Sequence, residues 1–338
     1  MIYFPFTEYW WFYLAFVGVV LLLLAIDLGM FHRTPRQVSF REATTWSIIW
    51  IALALAFNFF LYRFALSRFA HDERLLRIPG FHPSEAAQQV GLQFLGGYLV
   101  EKALSLDNIF VFVVLFSVFG IPAIYHRRVL FYGILGALGF RAIFIAAGSA
   151  LLQIHWMTLL FGGLLILTGI KMIFVPERRI EPEKNPAIRL FRRFLPVTAD
   201  LHEDRFFVRR NGARYATPLF LALILIEMSD IVFAVDSVPA IFALTKEPLI
   251  VFTSNIFAIL GLRSLYFLLS GAVERFHLLK YGLAAVLIFV GLKMVWLNDA
   301  FGGEFPILWS LAIITAVIGS SIYGSYWFRP RAAAVSRS

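Results

Sequence analysis

Residues 227–237 read EMSDIVFAVDS, which places three carboxylates inside an otherwise strongly apolar run. A second such stretch, EKALSLDNIFVF from residue 101, carries Glu101, Lys102, Asp107 and Asn108. An acid at the centre of a membrane helix costs about 2.5–3.5 kcal/mol to insert, so Glu101, Asp107, Glu227, Asp230 and Asp236 together would cost on the order of 12–18 kcal/mol without partners. Groups that expensive mark ion pathways, proton relays or internal ion pairs. The available donors are all hard oxygens: five carboxylates, the Asn108 amide, and the hydroxyls of Ser105, Ser229 and Ser237. Such a set suits manganese, calcium or magnesium. Met228, the one soft side chain nearby, reads as a packing residue. Cysteine is absent and none of the seven histidines (32, 71, 82, 126, 155, 202, 277) lies deep in an apolar run, which argues against zinc or copper. Lys102, Arg141 and Arg263 are bases placed to pair with the acids, and Asp27 closes the first apolar run beside His32 and Arg33. These four read as charge partners or gates rather than ligands. Five acids against three bases leave room for a cation.

The elements that must hold these groups follow from composition. Only 15% of the 338 residues are charged and 60% are hydrophobic, against about 25% charged in an ordinary globular chain. Apolar stretches long enough to cross about 30 Å of hydrocarbon recur along the whole length. The chain reads as an all-α polytopic membrane protein of about nine spans, near 10–31, 46–62, 92–119, 128–150, 156–175, 217–244, 250–270, 278–297 and 306–328. Its opening run is too long for a signal peptide and lacks a basic leader, so it reads as a retained first span. The alternate segments 32–45, 120–127, 176–216, 271–277 and the C-terminal tail, with their helix ends, hold 20 of the 30 Lys and Arg residues. That asymmetry puts the N-terminus outside and the C-terminus in the cytoplasm. It also accounts for the net charge of +9 without nucleic acid. The basic stretch 176–216 reads as a cytoplasmic loop, with IRLFRRFL lying on anionic headgroups of the membrane lipids.

Sliding the chain by 122 residues lays GFRAIFI at 139 on GLRSLYF at 261 and GIKMIF at 169 on GLKMVW at 291. Arg141 then matches Arg263, Lys171 matches Lys293 and Asn108 matches Asp230. Each copy, 92–175 and 217–297, contains three spans, and an odd number inserts the second copy upside down. The expectation is a 3+3 inverted-topology repeat within one transporter domain, with its site at the midplane between the copies. On a straight helix Asp236 lies about 120° round from Asp230, and Asp107 the same angle from Glu101. Convergence of each pair therefore predicts unwinding near SLDN and AVDSVP, with Gly120 and Pro239 close by.

LAIDLGMFHR at the end of the first span, EKALSLDNIFVF, EMSDIVFAVDSVPAIFAL and LGLRSLYFLL together resemble the TerC family of integral membrane proteins. The resemblance implies a lysine-exporter-like fold in the bacterial inner membrane. It further implies that Glu101, Asp107, Glu227, Asp230 and Asp236 line a metal site, and it adds manganese export to the functions to be weighed. The leading expectation is a secondary transporter carrying Mn²⁺ out of the cytoplasm in exchange for protons at the same carboxylates, with Mn²⁺ as cargo and no resident cofactor. Two other readings stand beside it. One is a membrane scaffold or stress-complex subunit that recruits partners through the basic loop; the other is an exporter of an organic cation. An intramembrane hydrolase is disfavoured, since HExxH, GxSxG and GxGD are all missing.

Overall fold

The computed structural model describes residues 2–31, 38–151, 155–174, 196–198, 201–202, 204–210, 213–270, 278–302 and 305–327. Its helices are α1 (Phe6–Phe31), α2 (Phe40–Phe69), the short α3 (Glu73–Leu76), α4 (Pro83–Val118), α5 (Ala123–Leu151), α6 (His155–Phe174), α7 (Pro218–Phe242), α8 (Pro248–Leu260), α9 (Leu262–Leu269), α10 (Leu279–Leu292), the short α11 (Asn298–Ala300) and α12 (Ile307–Trp327). Among the described residues the molecule is an all-α membrane protein apart from one small hairpin. Among the described residues eight segments are long and apolar enough to cross a bilayer, with α8 and α9 counted as one and α10 running on through α11. The expected third span falls on α4, whose Glu85, Glu101, Lys102 and Asp107 dilute its apolar average. At 36 residues this helix is about 54 Å long, more than the hydrocarbon requires.

Local signals set the helix ends. Ser39 caps α2, its hydroxyl accepting the Glu42 amide at 3.2 Å, and Pro83, Pro218 and Pro248 open their helices at the first position, where the missing N–H costs nothing. Gly120, at φ +59°, ends α4. Its neighbour Ile121 donates back to the Phe116 carbonyl at 2.9 Å, closing the helix in a glycine cap.

The helix expected to unwind near SLDN instead runs unbroken, and so does the one carrying AVDSVP, where Pro239 falls in the last turn of α7. The break lies elsewhere, at Gly261 between α8 and α9. There Lys102 Nζ donates to the Ala258 carbonyl at 2.9 Å, supplying a partner for a carbonyl at a helix end. A five-residue π segment, Lys293–Leu297, follows α10, with Lys293 buried.

The segment α8–α9 is the centre of the molecule, 89% buried along its apolar window, whereas α12 is 11% buried and peripheral. Helix α4 packs against α2, α7 and α8, and α5 packs against α7. Helices α6 and α10 approach each other closely, and glycines make the approach possible. A methyl group on Gly169 would stand 2.7 Å from the Ala284 carbonyl oxygen and 2.7 Å from Ile288 Cγ1. One on Gly291 would stand 2.6 Å from the Gly162 carbonyl oxygen and 2.7 Å from Ile166 Cγ1. Every residue in the first set lies 122 positions from its counterpart in the second, so the contact is reciprocal under the shift read from the sequence. The two helices run in opposite senses along each other.

Strands β1 (Phe207–Arg210) and β2 (Ala213–Ala216) pair antiparallel, Phe207 opposite Ala216. The hairpin departs from the plain loop expected over 176–216, although Asn211-Gly212 between two short runs is its ordinary sequence signal. Arg128 pairs with Asp204 beside it. IRLFRRFL, most of the basic loop, His32, Arg33 and the C-terminal tail lie outside the described residues.

Away from the helices' apolar faces, Glu247 fixes the start of the chain. It is 3% exposed at the N-terminus of α8 and accepts the backbone amides of Tyr3 and Phe4. Burial pushes its carboxyl up to about 7, against the two amides and the terminal charge, which favour ionisation. The folded state therefore holds this proton more tightly than the unfolded chain does, and stability falls as pH rises from about 4.5 to about 7.

Across that pH window the wild type should lose up to about 3 kcal/mol of stability, followed as thermal denaturation in detergent, and Glu247→Gln should flatten the dependence. Gly169→Ala and Gly291→Ala should each cost about 1–3 kcal/mol through overpacking against a backbone carbonyl. Gly163→Ala, which meets nothing within 4 Å, should be neutral or stabilising by up to about 1 kcal/mol.

Candidate functional site

Arg141 of α5 is 1% exposed and sits in the middle of the helix bundle. Its guanidinium forks onto Asp230 of α7, with Nε to Oδ2 at 3.2 Å and Nη2 to Oδ1 at 2.9 Å. The Nη1 atom donates to Glu101 of α4. It also reaches Ser237 Oγ and Asn255 Oδ1, each at 3.3 Å. Asn255 of α8 turns its Nδ2 onto the other Glu101 oxygen at 3.0 Å, and Asn108 Nδ2 donates to Asp230 Oδ1 at 3.3 Å. Four helices thus contribute to one buried network. An arginine suits the centre because its planar fork reaches several acceptors at once and keeps its charge when buried.

The network explains why no unwinding is needed. Each of α4 and α7 has to aim only one acid at Arg141, and the arginine spans the distance between them. The remaining acids point where a straight helix sends them. Asp236 turns to α6, where it accepts from Thr168 Oγ1 at 3.2 Å and feels the Lys171 ammonium. Asp107 is half-buried on α4, six residues beyond Glu101. Glu227 lies half-buried against Gly136 of α5 and feels the Asp230 charge, and its Oε2 has no hydrogen-bond partner. Met228, read from the sequence as a packing residue, is 42% exposed on α7.

Of the basic residues, Lys102 is engaged with the Ala258 carbonyl, so it is not spent on neutralising a carboxylate through a hydrogen bond. Arg263 of α9 pairs with Asp27 of α1, joining two residues expected to act as charge partners or gates. Both are buried, and each keeps one orphaned atom, Arg263 Nη1 and Asp27 Oδ1. Arg263 and Asp230 both line a cavity of about 10 Å³, near the least volume that holds one water.

Among the described residues no three histidine, aspartate or glutamate side chains gather as a metal-ligating cluster. What gathers is Glu101, Asp230 and Asn108, with Glu227 adjacent. Two further oxygens, Asn108 Oδ1 and Ser105 Oγ, are buried without hydrogen-bond partners. Asn255 is the participant that sequence reasoning missed. Its signal was available, since TSN interrupts an otherwise apolar run at 253–255, but nothing local said that this amide faces Glu101 of a distant helix.

Residues 86–333 match the model of the integral membrane protein TerC family. The chain belongs to this family. Its full-length relatives include "Uncharacterized membrane protein STKORF319" of Myxococcus xanthus, 48% identical over 92% of this chain and 90% of that protein. Proteins named "Putative membrane-bound redox modulator Alx" are 44% identical in Salmonella typhi, covering 93% of both chains, and 43% identical in Escherichia coli K12, covering 94% of both. No solved structure matches this TerC-family chain.

Removing Arg141 strands two buried carboxylates. Arg141→Gln should therefore cost about 3–5 kcal/mol, seen as a large drop in denaturation temperature in detergent. Arg141→Lys should recover little, because an ammonium cannot reproduce the fork. Stability equal to wild type in Arg141→Gln would mean that the network does not organise the bundle.

Proposed function

We propose that this TerC-family protein is a secondary transporter that exports divalent metal cations, Mn²⁺ foremost, from the cytoplasm by alternating access coupled to protons. The observation that carries the reading is the pair Glu101 and Asp230, fully enclosed and contributed by opposite halves of the chain onto a single arginine. One cationic group bound by two acids marks a place built to hold positive charge. In this reading Arg141 is a tethered stand-in for the cargo: it neutralises the carboxylates while the site is closed and empty, and a metal ion competes with it. The hard donors surrounding it, including the orphaned Asn108 and Ser105 oxygens, suit manganese over softer metals. Carboxylates bind metal when ionised and release it when protonated, so the same groups can link metal flux to proton flux. The reciprocal glycine contact between α6 and α10 supports two halves inserted in opposite senses about an axis in the membrane plane, which is the architecture that alternating access uses. The distribution of Lys and Arg supports a cytoplasmic C-terminus in a bacterial inner membrane. The word redox in the names of some relatives is said of those proteins; this chain has no cysteine, and hence no thiol chemistry of its own.

Uptake of Mn²⁺ into everted membrane vesicles tests the proposal. Asp230→Asn and Glu101→Gln should each reduce it by about ten-fold or more, and should abolish the rise in denaturation temperature that Mn²⁺ produces in the wild type. Glu73→Gln, on the exposed face of the short α3, should change neither. Wild-type uptake in both carboxylate variants would refute the site.

A further inference from the structure

Two cavities lie one above the other along the same three helices. The small one beside Asp230 is lined by Phe112 of α4, Leu130 of α5 and Leu262 of α9. The second, a hollow of about 460 Å³, is lined by Phe116 of α4, His126 of α5 and Tyr266 of α9. On each helix the named residue of one cavity stands four positions, about one helical turn or 6 Å of rise, from that of the other, and Val113, next to Phe112, also lines the hollow. The hollow is large enough for a hydrated cation and its waters, and Ser117 on its wall is exposed.

What separates the two is a plug made of one side chain from each helix. The His126 ring stacks on Phe116, centroids 4.0 Å apart and planes 8° from parallel. Tyr266 meets Phe116 edge-on at 5.7 Å. The Ile121 carbonyl can only accept, so His126 Nε2 carries the hydrogen that it donates there at 2.7 Å. His126 Nδ1 is then free to accept from the Tyr266 hydroxyl at 2.8 Å. All polar atoms of the histidine and tyrosine side chains are thereby turned to each other or to backbone, and the face toward Asp230 is closed by Phe112, Leu130 and Leu262, all buried.

We infer that the Phe116–His126–Tyr266 cluster is a gate, and that the hollow behind it is the aqueous vestibule from which a hydrated divalent cation reaches Asp230. The inference rests on the transport reading for the identity of the cargo, but the barrier itself is a matter of water access. Opening requires the Tyr266–His126 hydrogen bond and the ring stack to part, which separates α9 from α4 and α5. The vestibule lies at the end of the molecule that carries Gly120 and the 120–127 connection, the side expected to face the cytoplasm from the charge pattern.

The absence of native cysteine makes the test direct. Single cysteines replace Ser117, in the hollow, and Ala137, in the small cavity beyond the plug. Each is reacted with a membrane-impermeant cationic methanethiosulfonate in right-side-out and everted vesicles. Ser117→Cys should label only in everted vesicles, and Ala137→Cys should be protected from both sides. Adding Tyr266→Phe, which keeps the ring and removes the hydroxyl, should raise the labelling rate of Ala137→Cys from the Ser117 side by about five-fold or more. Phe116→Ala should raise it further. The Ser117→Cys rate in the same backgrounds serves as the control for an intact fold. Unchanged protection of Ala137→Cys in both backgrounds, or access from the opposite side alone, would overturn the gate even if Mn²⁺ uptake were normal. Opening from the Ser117 side would uphold it even if Mn²⁺ were not the cargo.

Discussion

A charged guanidinium that is only 1% exposed among packed helices is the constraint on which the rest of the structure depends. Arg141 cannot lose its proton at any ordinary pH, so carboxylates must be brought to it, and the helices that carry them must pack closely around α5. Glu101 binds α4, Asp230 binds α7, and Asn255 ties in α8 by bridging back to Glu101. In hydrocarbon there is little hydrophobic drive between helices, since lipid is as apolar as leucine, and association comes from close packing and polar contacts. The two means appear at separate places here. Polar contacts organise α4, α5, α7 and α8 at the centre, whereas glycine against backbone joins α6 to α10 at the side.

Under the 122-residue shift Arg263 falls on Arg141, yet the two are used differently. Arg141 is fully engaged by two acids and two neutral acceptors, whereas Arg263 pairs with Asp27 of α1, outside both halves, and keeps one nitrogen without a hydrogen-bond partner. A symmetric sequence pattern is thus expressed asymmetrically. The position that is Asp230 in one half is Asn108 in the other, so only one of the two arginines has an acid waiting at the equivalent place. The aromatic plug at Phe116, His126 and Tyr266 and the cavity under it lie on the side of Asp230 that faces Arg263. Access, gate and second arginine therefore belong to the same flank of the site.

Much of this was legible from residue types alone. Apolar length located the approximate spans, the cost of intramembrane charge singled out the acids, and the 122-residue shift laid Asn108 on Asp230, two residues that are hydrogen-bonded to each other. Helical geometry also separated Asp236 from Asp230. The inference drawn from that separation, local unwinding, failed because it assumed that all the acids must converge. An arginine from a third helix removes the requirement. The real break, at Gly261, had no distinguishing mark: Gly261 stands two residues before Arg263 just as Gly139 stands two residues before Arg141, and Gly139 lies inside an unbroken helix.

Residue types and their spacing were enough for the membrane class, the family, the approximate spans and the set of groups whose burial needs an explanation, because these depend on composition and on position along one helix. The packed bundle was needed to settle who partners whom: that Arg141 rather than Lys102 holds Glu101 and Asp230, that Asp27 takes Arg263, that Asn255 belongs to the site, and that His126 meets Tyr266. The reason is physical. Periodicity states which residues share a face, but the rotation and depth of one helix against another arise from packing between residues more than 200 positions apart, such as Asp27 and Arg263, and no local pattern carries that information.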